Sequence, residues 1–394
     1  MLDIKSILIC HNKYKIFGGE DVVYQNETQL LKSFGVEVEQ FNCSNDNVDG
    51  LRGKLIAAIN CVFSISVKRL IEFKLCELKP DVIHVHNYFP IISPSIFYAC
   101  KKMDVPVVHT LHNYRAICPT ALLMYKGKIE ERSIRKSVWW AVPNKVYRDS
   151  FLGTFILTLM IYVHKKLGTW NKKVDRYIAL TEFSKQKYIE AGWPKDKIRV
   201  KPNFSYDPYT GASEIPKKGG YALFVGRLSE EKGAGVLVNA WSSLDLPLKV
   251  IGDGPLAAQL RSNSSDVVDY LGSCDKKDVL DMMCDADFII MPSVCYETFG
   301  MVIIEAFSCG TPVLCSRLGS MEEIVKDGTT GLHFEAGNKK DLAEKAQWLI
   351  DNPQRVREMG RNARNEYLAK FTPEKNYDML MDIYQQAIDE AKKH

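Results

Sequence analysis

The chain has 394 residues, of which 46% are hydrophobic and 25% are charged, and its formal net charge at pH 7 is +4. This composition excludes a disordered or fibrous chain, and the length exceeds what one typical hydrophobic core organises, so we expect two globular domains. The eleven cysteines form no Cys-x-x-Cys pair, and we expect most of them to be buried thiols in a reducing compartment.

The first half of the chain alternates predicted strands and helices. The opening strand, Ser6–Cys10, begins so close to Met1 that we expect no signal peptide and a cytoplasmic protein. Because strands that alternate with helices pair in parallel, this half is predicted to fold around a parallel sheet. The further predicted elements are strands over Val36–Phe41, Asp81–Val85, Val105–Thr110, Tyr177–Leu180 and Lys197–Val200, and helices over Asp21–Phe34 and Glu182–Ala191.

Two pairs of residues near these strands are candidate functional positions. Gly18 and Gly19 follow the first strand, and their lack of side chains would let a ligand approach the backbone closely, although a plain turn also explains them. His84 and His86 alternate along one strand, so we expect them on opposite faces and expect no metal ion shared between them. Of these two histidines, only His86 is kept as a candidate.

The loop after the strand Val105–Thr110 carries two further candidates, His112 and Arg115. His112 either contacts a substrate or is a loop histidine that bonds to the backbone. Arg115 either binds a phosphate of an acceptor or orients His112. The sequence leaves both alternatives open.

Positive charge is concentrated in residues 1–206, which carry a net charge of +12. No helix-turn-helix, zinc-finger or RNA-binding signature accompanies this charge, so nucleic acid is not an expected partner. Within this part, Phe151–Val163 is an uncharged run of thirteen residues, shorter than the ~20 residues that span a bilayer. It is either a buried helix with solvated basic flanks or a surface that rests on anionic lipid, joined there by Lys54–Lys79.

The alternation of strands and helices resumes after a turn-rich stretch, residues 206–220, which we interpret as a linker. The loop after the next strand, Tyr221–Val225, carries Arg227 and Lys232 at a strand end, where open α/β sheets bind ligands. Arginine grips phosphate through parallel N–H bonds and lysine adds a compact charge. This loop therefore predicts a phosphate site, the alternative being a solvated basic loop.

Two glutamates eight residues apart, Glu297 and Glu305, flank a predicted helix start. Glu297 follows the predicted strand Phe288–Met291, and Glu305 lies about two turns into the helix predicted over Gly300–Cys309. The free N–H groups at the helix start suit an anion, and carboxylates suit pairs of hydroxyls. A sugar nucleotide matches this pattern, since it has hydroxyls at both ends and a diphosphate between them.

Together these motifs resemble the family-4 glycosyltransferases of the GT-B fold. The resemblance is specific over residues ~220–335 and looser in the first half. The matching pieces are Gly226-Arg227 with Lys232-Gly233, Gly252-Asp253-Gly254-Pro255, the Glu297-to-Glu305 spacing, Phe17-Gly18-Gly19-Glu20, His84-Val85-His86-Asn87, His112-Asn113-Tyr114-Arg115 and Lys201-Pro202-Asn203.

The resemblance implies an α/β fold of two Rossmann-like parallel-sheet domains that face each other across a cleft. It implies an acceptor-binding domain over residues 1–205, the linker over 206–220 and a nucleotide-sugar-binding domain over 221–372. It also implies that a last helix, residues 373–394, crosses back to the first domain.

The implied activity is a retaining, hexosyl-type transfer from a nucleotide diphosphate sugar to a lipid-linked or growing glycan. Its setting would be the biosynthesis of lipopolysaccharide or capsule at the inner face of the plasma membrane. We assign a catalytic role to Arg227 and Lys232, which would stabilise the departing diphosphate. The resemblance implies that His112 and Glu297 are catalytic as well and contact the donor sugar. His86 and Arg115 are candidates for the acceptor side. The implied donor-binding residues are Gly18, Gly19, Arg227, Lys232, Gly252, Gly254, Phe299, Gly300, Met301, Val302 and Glu305. Because the two cations meet the charge of the diphosphate, we expect no metal ion and no other cofactor.

Two alternatives to transfer stay open at this point. A sugar-nucleotide epimerase on the same fold would convert the donor without any acceptor. A non-catalytic subunit of a synthase complex would bind the nucleotide sugar without turnover, although the intact set of charged residues argues against it.

Overall fold

A computed structural model of the chain describes residues 4–13, 18–44, 59–209, 219–262 and 266–393. Residues 210–218 of the predicted linker and residues 54–58 of the basic apolar segment lie outside this description. The chain forms two compact units, which comprise Met1–Tyr125, Glu130–Lys201 and Asn376–His394 in the first and Lys126–Ile129 and Pro202–Lys375 in the second.

The described part of the first unit contains a six-stranded sheet in the order β2-β1-β3-β4-β7-β8, with every neighbouring pair parallel. The strands up to residue 201 are β1 Ser6–Lys13, β2 Glu37–Ser44, β3 Val82–Asn87, β4 Val107–Thr110, β5 Met124–Tyr125, β6 Lys128–Ile129, β7 Arg176–Ala179 and β8 Ile198–Val200, where β5 and β6 form a separate pair. The helices are α1 Gly19–Ser33, α2 Ile65–Leu78, α3 Ser95–Lys102, α4 Arg132–Arg135, α5 Phe151–Lys166, α6 Thr169–Lys172 and α7 Glu182–Glu190.

The second unit repeats this plan around a parallel six-stranded sheet of its described residues, in the order β11-β10-β9-β12-β13-β14. Its strands are β9 Ala222–Val225, β10 Leu248–Ile251, β11 Val268–Gly272, β12 Phe288–Met291, β13 Val313–Ser316 and β14 Gly331–Phe334. The helices that follow are α8 Ala234–Trp241, α9 Ala257–Ser262, α10 Lys276–Asp285, α11 Met301–Ser308, α12 Ser320–Ile324, α13 Lys339–Asp351, α14 Pro353–Lys370 and α15 Pro373–Ala391.

The central strands of the second sheet are short and almost wholly apolar because helices cover both faces of a parallel sheet. All residues of β3, β12 and β13 are buried. The core of the second unit gathers around the fully buried Trp241, whose ring lies 6.3 Å from that of Phe288 between their centroids. The predicted parallel sheets are therefore confirmed, and most predicted strand ends shift by one to three residues.

Helix α5 contains the uncharged run Phe151–Val163 and extends it to Lys166. Ser150 caps its start by accepting a hydrogen bond from Gly153 N at 3.0 Å. The helix buries one face, which includes Leu157 and Ile161, whereas Phe151 is 58% exposed. None of the described helices combines the length and the apolar character that a membrane crossing requires.

The last helix, α15, belongs to the first unit from Asn376 onward. The Tyr384 hydroxyl bonds to His84 Nδ1 at 2.8 Å, and the ring of Tyr377 stacks on Phe34 with 3.9 Å between centroids. These contacts join the carboxy-terminal residues of the chain to β3 and to the end of α1.

Candidate functional site

The sheet of the second unit reverses its strand order at β9 and β12, which lie side by side. Ligands of open parallel sheets bind outside the carboxyl ends of the strands at such a switch point. The loop after β9 carries Arg227 and Lys232, and the loop after β12 carries Glu297. The structure thus brings two predicted cations and one predicted carboxylate to the same edge of the sheet.

Lys232 and Glu297 form an ion pair, with 2.6 Å between Nζ and Oε1, and Ser293 Oγ donates to the same carboxylate oxygen at 2.7 Å. Burial works to lower the pKa of Lys232, but Glu297 acts together with Cys295 and Glu231 in the opposite direction, and the net effect raises that pKa above its ordinary value. The ammonium group therefore stays charged and fixed in place. The side chain of Arg227, in contrast, is exposed to solvent.

Gly252 and Gly254, in the turn after β10, pack against the cationic loop after β9. A Cβ at Gly252 would lie 2.0 Å from the Gly226 carbonyl oxygen, and one at Gly254 would lie 2.4 Å from that of Leu228. Leu228 N also donates to Asp253 O at 2.9 Å. Both glycines are therefore needed for the two loops to approach each other, and their direct contact with a donor stays a prediction.

Helix α11 begins after Gly300, whose φ of +119° is a conformation that a side chain would strain. Met301 and Val302, in the first turn, are half-buried. The Phe299 side chain is only 3% exposed and packs edge-on against Phe371, with 6.2 Å between ring centroids. The Phe299 side chain therefore serves the core, and a donor contact there would come from its backbone.

Glu305 is half-buried in α11. Burial raises its pKa to about 7, while Lys276 acts in the opposite direction. A carboxyl group that titrates near neutral pH is frequent at functional sites. It changes from a pure acceptor when ionised to a donor and acceptor when protonated.

The sheet of the first unit reverses its strand order at β1 and β3. Gly18 immediately precedes helix α1, and its N–H donates to Asp21 Oδ2 at 2.9 Å. A Cβ on Gly18 or Gly19 would meet no heavy atom of the described residues within 4 Å. Packing among those residues therefore does not require glycine here, and binding of a donor by the two glycines stays a prediction.

His86 and His112 are hydrogen-bonded to each other, with 3.0 Å between His86 Nδ1 and His112 Nε2. Their rings stack with 5.1 Å between centroids, and they are 2% and 8% exposed. The two histidines, one expected to contact the donor sugar and the other a candidate for the acceptor side, therefore meet in one place. They line a small pocket of the first unit together with Phe89, Leu111, Asn113 and Arg115.

The expectation that His84 and His86 point to opposite faces is wrong. Their ring centroids are 4.3 Å apart, because side chains alternate along a strand and residues two apart share a face. Glu27 of helix α1 joins them, so that one potential ligand atom from each residue lies within 4.8 Å of the others. The argument from strand geometry against a shared metal ion fails with that expectation.

Arg115 lies beside the same pocket, over two aromatic rings. Its guanidinium carbon is 4.5 Å from the centroid of Phe89 and 5.7 Å from that of Tyr147. Burial raises the pKa of the neighbouring Glu20, and the charge of Arg115 opposes that rise. These contacts hold the guanidinium near the pocket, and both of its predicted roles stay predictions.

Sequence reasoning missed the buried pair of Glu27 and Lys201. Lys201 Nζ lies 2.6 Å from Glu27 Oε1, and both side chains have 0% exposure. A signal for Glu27 exists in the sequence, since it lies in the apolar stripe of α1 midway between Val23 and Leu31. A charged residue in an apolar stripe requires a partner, which the local sequence does not identify.

Comparison with known proteins gives matches over both units. The family profile Glycosyltransferase Family 4 matches residues 37–204, and Glycosyl transferases group 1 matches residues 207–366. The D-inositol 3-phosphate glycosyltransferase of Arthrobacter sp. (strain FB24) is 30% identical over 406 residues, which cover 95% of this chain and 91% of that protein. An uncharacterized 41.2 kDa protein in the cps region of Klebsiella pneumoniae is 27% identical over a match that covers 76% of this chain and 77% of that protein.

A shorter match joins the chain to the uncharacterized glycosyltransferase MJ1178 of Methanocaldococcus jannaschii, with 34% identity over 173 residues. That match spans 43% of this chain and 49% of the relative. Among solved structures, Anabaena Alr3699/HepE in complex with UDP and glucose superposes with a TM-score of 0.65 and 18% identity. The superposition covers 95% of this chain and 98% of that structure. The apo form of the lipopolysaccharide outer core galactosyltransferase WaaB superposes with a TM-score of 0.63 and 17% identity, over 96% of this chain and 99% of that structure. These likenesses confirm the predicted fold.

Proposed function

Since the chain belongs to glycosyltransferase family 4 and has the GT-B fold, we propose that it moves a hexosyl group from a nucleotide diphosphate sugar to a lipid-linked or growing glycan. The observation that carries the proposal is the charged edge of the second sheet, where Arg227, Lys232 and Glu297 follow the two strands at the switch point. A relative from a cps region and the likeness to WaaB support a role in surface polysaccharide assembly. Solved complexes of Anabaena HepE with UDP and with UDP-glucose support a nucleotide-sugar donor.

In the proposed reaction, the bond between the anomeric carbon and the diphosphate oxygen breaks. Negative charge grows on the departing diphosphate, where Arg227, the paired Lys232 and the N–H groups at the start of α11 would stabilise it. The acceptor oxygen forms the new bond to carbon, and its proton passes to the departing diphosphate. No step requires a metal ion, because Arg227, Lys232 and the helix amides supply the positive charge.

Retention of the anomeric configuration is part of the proposal. Glu297 is tied to Lys232 and Ser293, which lowers its readiness to attack the sugar as a nucleophile. A substitution on one face of the sugar therefore fits better than a covalent intermediate. Glu297 would accept hydrogen bonds from the sugar hydroxyls, and Glu305 from those of the ribose.

Release of free nucleotide separates this proposal from its alternatives. The protein is incubated with UDP-glucose and other nucleotide sugars in EDTA, with and without a lipid-linked acceptor extract. A transferase releases nucleotide slowly alone and faster with acceptor. An epimerase alters the sugar without nucleotide release, and a non-catalytic subunit binds without turnover, so either result would contradict the proposal.

Glu305 gives the proposed nucleotide site a dependence on pH. Its pKa of about 7 leaves the carboxyl protonated below neutral pH, whereas the ionised form accepts from both ribose hydroxyls. We therefore expect nucleotide affinity to rise about five- to tenfold between pH 6 and pH 8. Calorimetric titration with UDP measures the affinity at each pH. Glu305→Gln is the control, because its remaining pH dependence comes from groups other than Glu305, such as the phosphates of UDP. Identical profiles for the two proteins would refute the assignment.

We also propose that helix α5 rests on the inner face of the plasma membrane. Its solvent face carries Phe151, Leu152 and Tyr162 with exposures of 58%, 56% and 39%. Exposed basic side chains flank this apolar surface, namely Lys145, Arg148, Lys165 and Lys166. An apolar strip between cations matches an anionic lipid surface and its acyl boundary.

The expected result is that the protein pellets with vesicles rich in anionic lipid and is released by salt. Leu152→Asp should abolish pelleting, because it places a negative charge on the surface that would enter the lipid. Since Leu152 is exposed, the substitution should leave the fold intact. Leu368→Asp, at a position 47% exposed in the second unit, is the matched control and should pellet as the wild type does. Equal recovery with neutral and anionic vesicles would count against the proposal.

A further inference from the structure

Two strand-end loops of the second unit are fastened to each other beside the ion pair of the proposed donor site. Val294 N donates to Glu231 O at 2.9 Å. Gly233 lies so close to the other loop that a Cβ on it would be 1.9 Å from the Pro292 carbonyl oxygen. The loop after β9 and the loop after β12 therefore meet backbone against backbone, and their spacing is fixed next to that ion pair.

Glu297 is held at both its backbone and its side chain. Ser320 Oγ donates to Glu297 O at 2.7 Å. Lys232 Nζ and Ser293 Oγ donate to the same carboxylate oxygen, Oε1, at 2.6 Å and 2.7 Å. Each oxygen of a carboxylate accepts about two hydrogen bonds, so these two donors fill Oε1.

The other carboxylate oxygen, Oε2, is left for a ligand. Among the residues that the structure describes, none donates a hydrogen bond to Glu297 Oε2, and this oxygen is not one of their polar atoms that are sealed from solvent without a partner. The Glu297 side chain is 15% exposed, whereas Ser293 is 1% exposed. The carboxylate is therefore open to a substrate, and the serine hydroxyl is shielded from it.

The serine hydroxyl supplies a restriction that the lysine alone does not. An ammonium group is a compact point charge that attracts either oxygen of a carboxylate, and the last torsion of a glutamate side chain has broad minima. A second donor on the same oxygen restricts that torsion, because both hydrogen bonds are kept in one orientation only. Ser293 therefore selects the orientation of the Glu297 carboxylate, to which Lys232 adds the attraction of opposite charges.

We propose that Ser293 is a positioning residue, which together with Lys232 saturates Glu297 Oε1 and so presents Oε2 alone to the hydroxyls of the donor sugar. This role rests on the proposed transferase function. Oε2 then accepts from one hydroxyl or from two neighbouring ones. The matching donor sugar therefore has a free hydroxyl where it faces Glu297, and an acceptor fixed in this way discriminates against a sugar that lacks it.

A merely structural role is the competing interpretation of Ser293. Its hydroxyl would then only fasten the loop after β12, and its removal would disturb the binding of nucleotide and sugar alike. Backbone contacts at Gly233 and Val294 already fasten this loop without the serine hydroxyl. Loss of the hydroxyl therefore releases the carboxylate rather than the loop, which favours the positioning role.

The contribution of the sugar to donor affinity tests the proposal. Calorimetry without acceptor compares UDP with UDP-glucose, GDP with GDP-mannose and ADP with ADP-glucose, and the pair that binds the wild type most tightly is then used. In Ser293→Ala we expect the affinity for the nucleotide sugar to fall about 5- to 20-fold, while the affinity for the nucleotide alone changes by no more than about twofold. Equal losses for both ligands, or no loss for either, would overturn the proposal.

A double-variant cycle tests whether the serine acts through the carboxylate. Glu297→Ala should remove the same sugar contribution, and Ser293→Ala should cost no further affinity in that background. Thr311→Val is the matched control, because it removes another fully buried hydroxyl of the second unit, one that donates to Met283 O at 2.8 Å. We expect this control to keep both affinities. Full additivity of Ser293→Ala and Glu297→Ala would overturn the proposal.

The wild type separates this inference from the proposed function. If none of the three pairs binds, the proposed function is contradicted and this inference with it. Equal affinity of the wild type for nucleotide and nucleotide sugar, or a sugar contribution that survives Ser293→Ala, would overturn the inference alone. Should Ser293→Ala fail to fold, Ser293→Cys takes its place, because a thiol fills the space of the hydroxyl but is a weak donor. The same selective loss of affinity for the nucleotide sugar is then expected.

Discussion

Replacing Arg227 by alanine is expected to lower kcat for sugar transfer by about 10²–10³, with a much smaller change in KM for the donor. Arg227 is exposed in the loop after β9, so its loss removes no packing. Lys232 cannot fully substitute for it, because its ammonium group is already 2.6 Å from the Glu297 carboxylate. The charge of the guanidinium matters most when the diphosphate departs, and turnover therefore suffers more than binding.

Steady-state kinetics with a saturating acceptor measure the effect. The matched control is Arg355→Ala, which removes an exposed arginine of the same unit that forms a surface ion pair with Glu358. We expect the control to keep the wild-type kcat. A kcat for Arg227→Ala within threefold of the wild type would show that this loop does not stabilise the leaving group.

The second large effect concerns stability. Lys201→Met is expected to lower the free energy of unfolding of the first unit by about 3–5 kcal/mol, because it leaves the ionised Glu27 carboxylate buried without its cation. Both members of the pair are fully buried, so solvent cannot screen the loss. Hydrogen exchange of the backbone amides in β1 and β3 measures it, and we expect exchange in these strands to accelerate by about 10²–10⁴.

Two further variants identify the cause. Lys201→Met combined with Glu27→Gln should recover part of the loss, since no uncompensated charge is then buried. Lys326→Met removes the lysine of the surface pair with Glu366 and should cost no more than ~1 kcal/mol. If the loss of free energy of unfolding in the double variant equalled the sum of the losses in Lys201→Met and Glu27→Gln, the two changes would be independent. Lost packing rather than an unpaired charge would then explain the result.

The arrangement of the fold followed from the sequence because its signals are local. Short apolar runs such as Phe288–Met291, each followed by a turn and a helix, can be satisfied only in a parallel sheet covered on both faces. The loops after β9 and β12 were predicted as the site for the same reason, since the ends of neighbouring parallel strands meet at one edge. Strand and helix ends were less exact because capping and pairing decide them, as in α1, which was predicted to begin at Asp21 and begins at Gly19.

What the sequence did not yield are the pairings between distant residues. Glu27 and Lys201 are 174 positions apart, and Lys232 and Glu297 are 65 positions apart, so no periodic pattern connects them. The histidines of β3 were misinterpreted although their spacing was sufficient to place both on one face. The apolar run Phe151–Val163 gave the start of α5 but ended three residues before the helix does, and only the structure separates the buried face of the helix from its exposed one.

The most direct test of the central claim, a nucleotide diphosphate site in the second unit, is a thermal-shift titration with UDP, GDP, ADP and their sugars in EDTA. The account predicts that at least one of them raises the melting temperature of the wild type in a saturable way, by ~3–8 °C at 100 times the dissociation constant. It also predicts that Glu305→Ala abolishes most of that rise. No response of the wild type to any of these nucleotides, or an equal response of Glu305→Ala, would contradict the account.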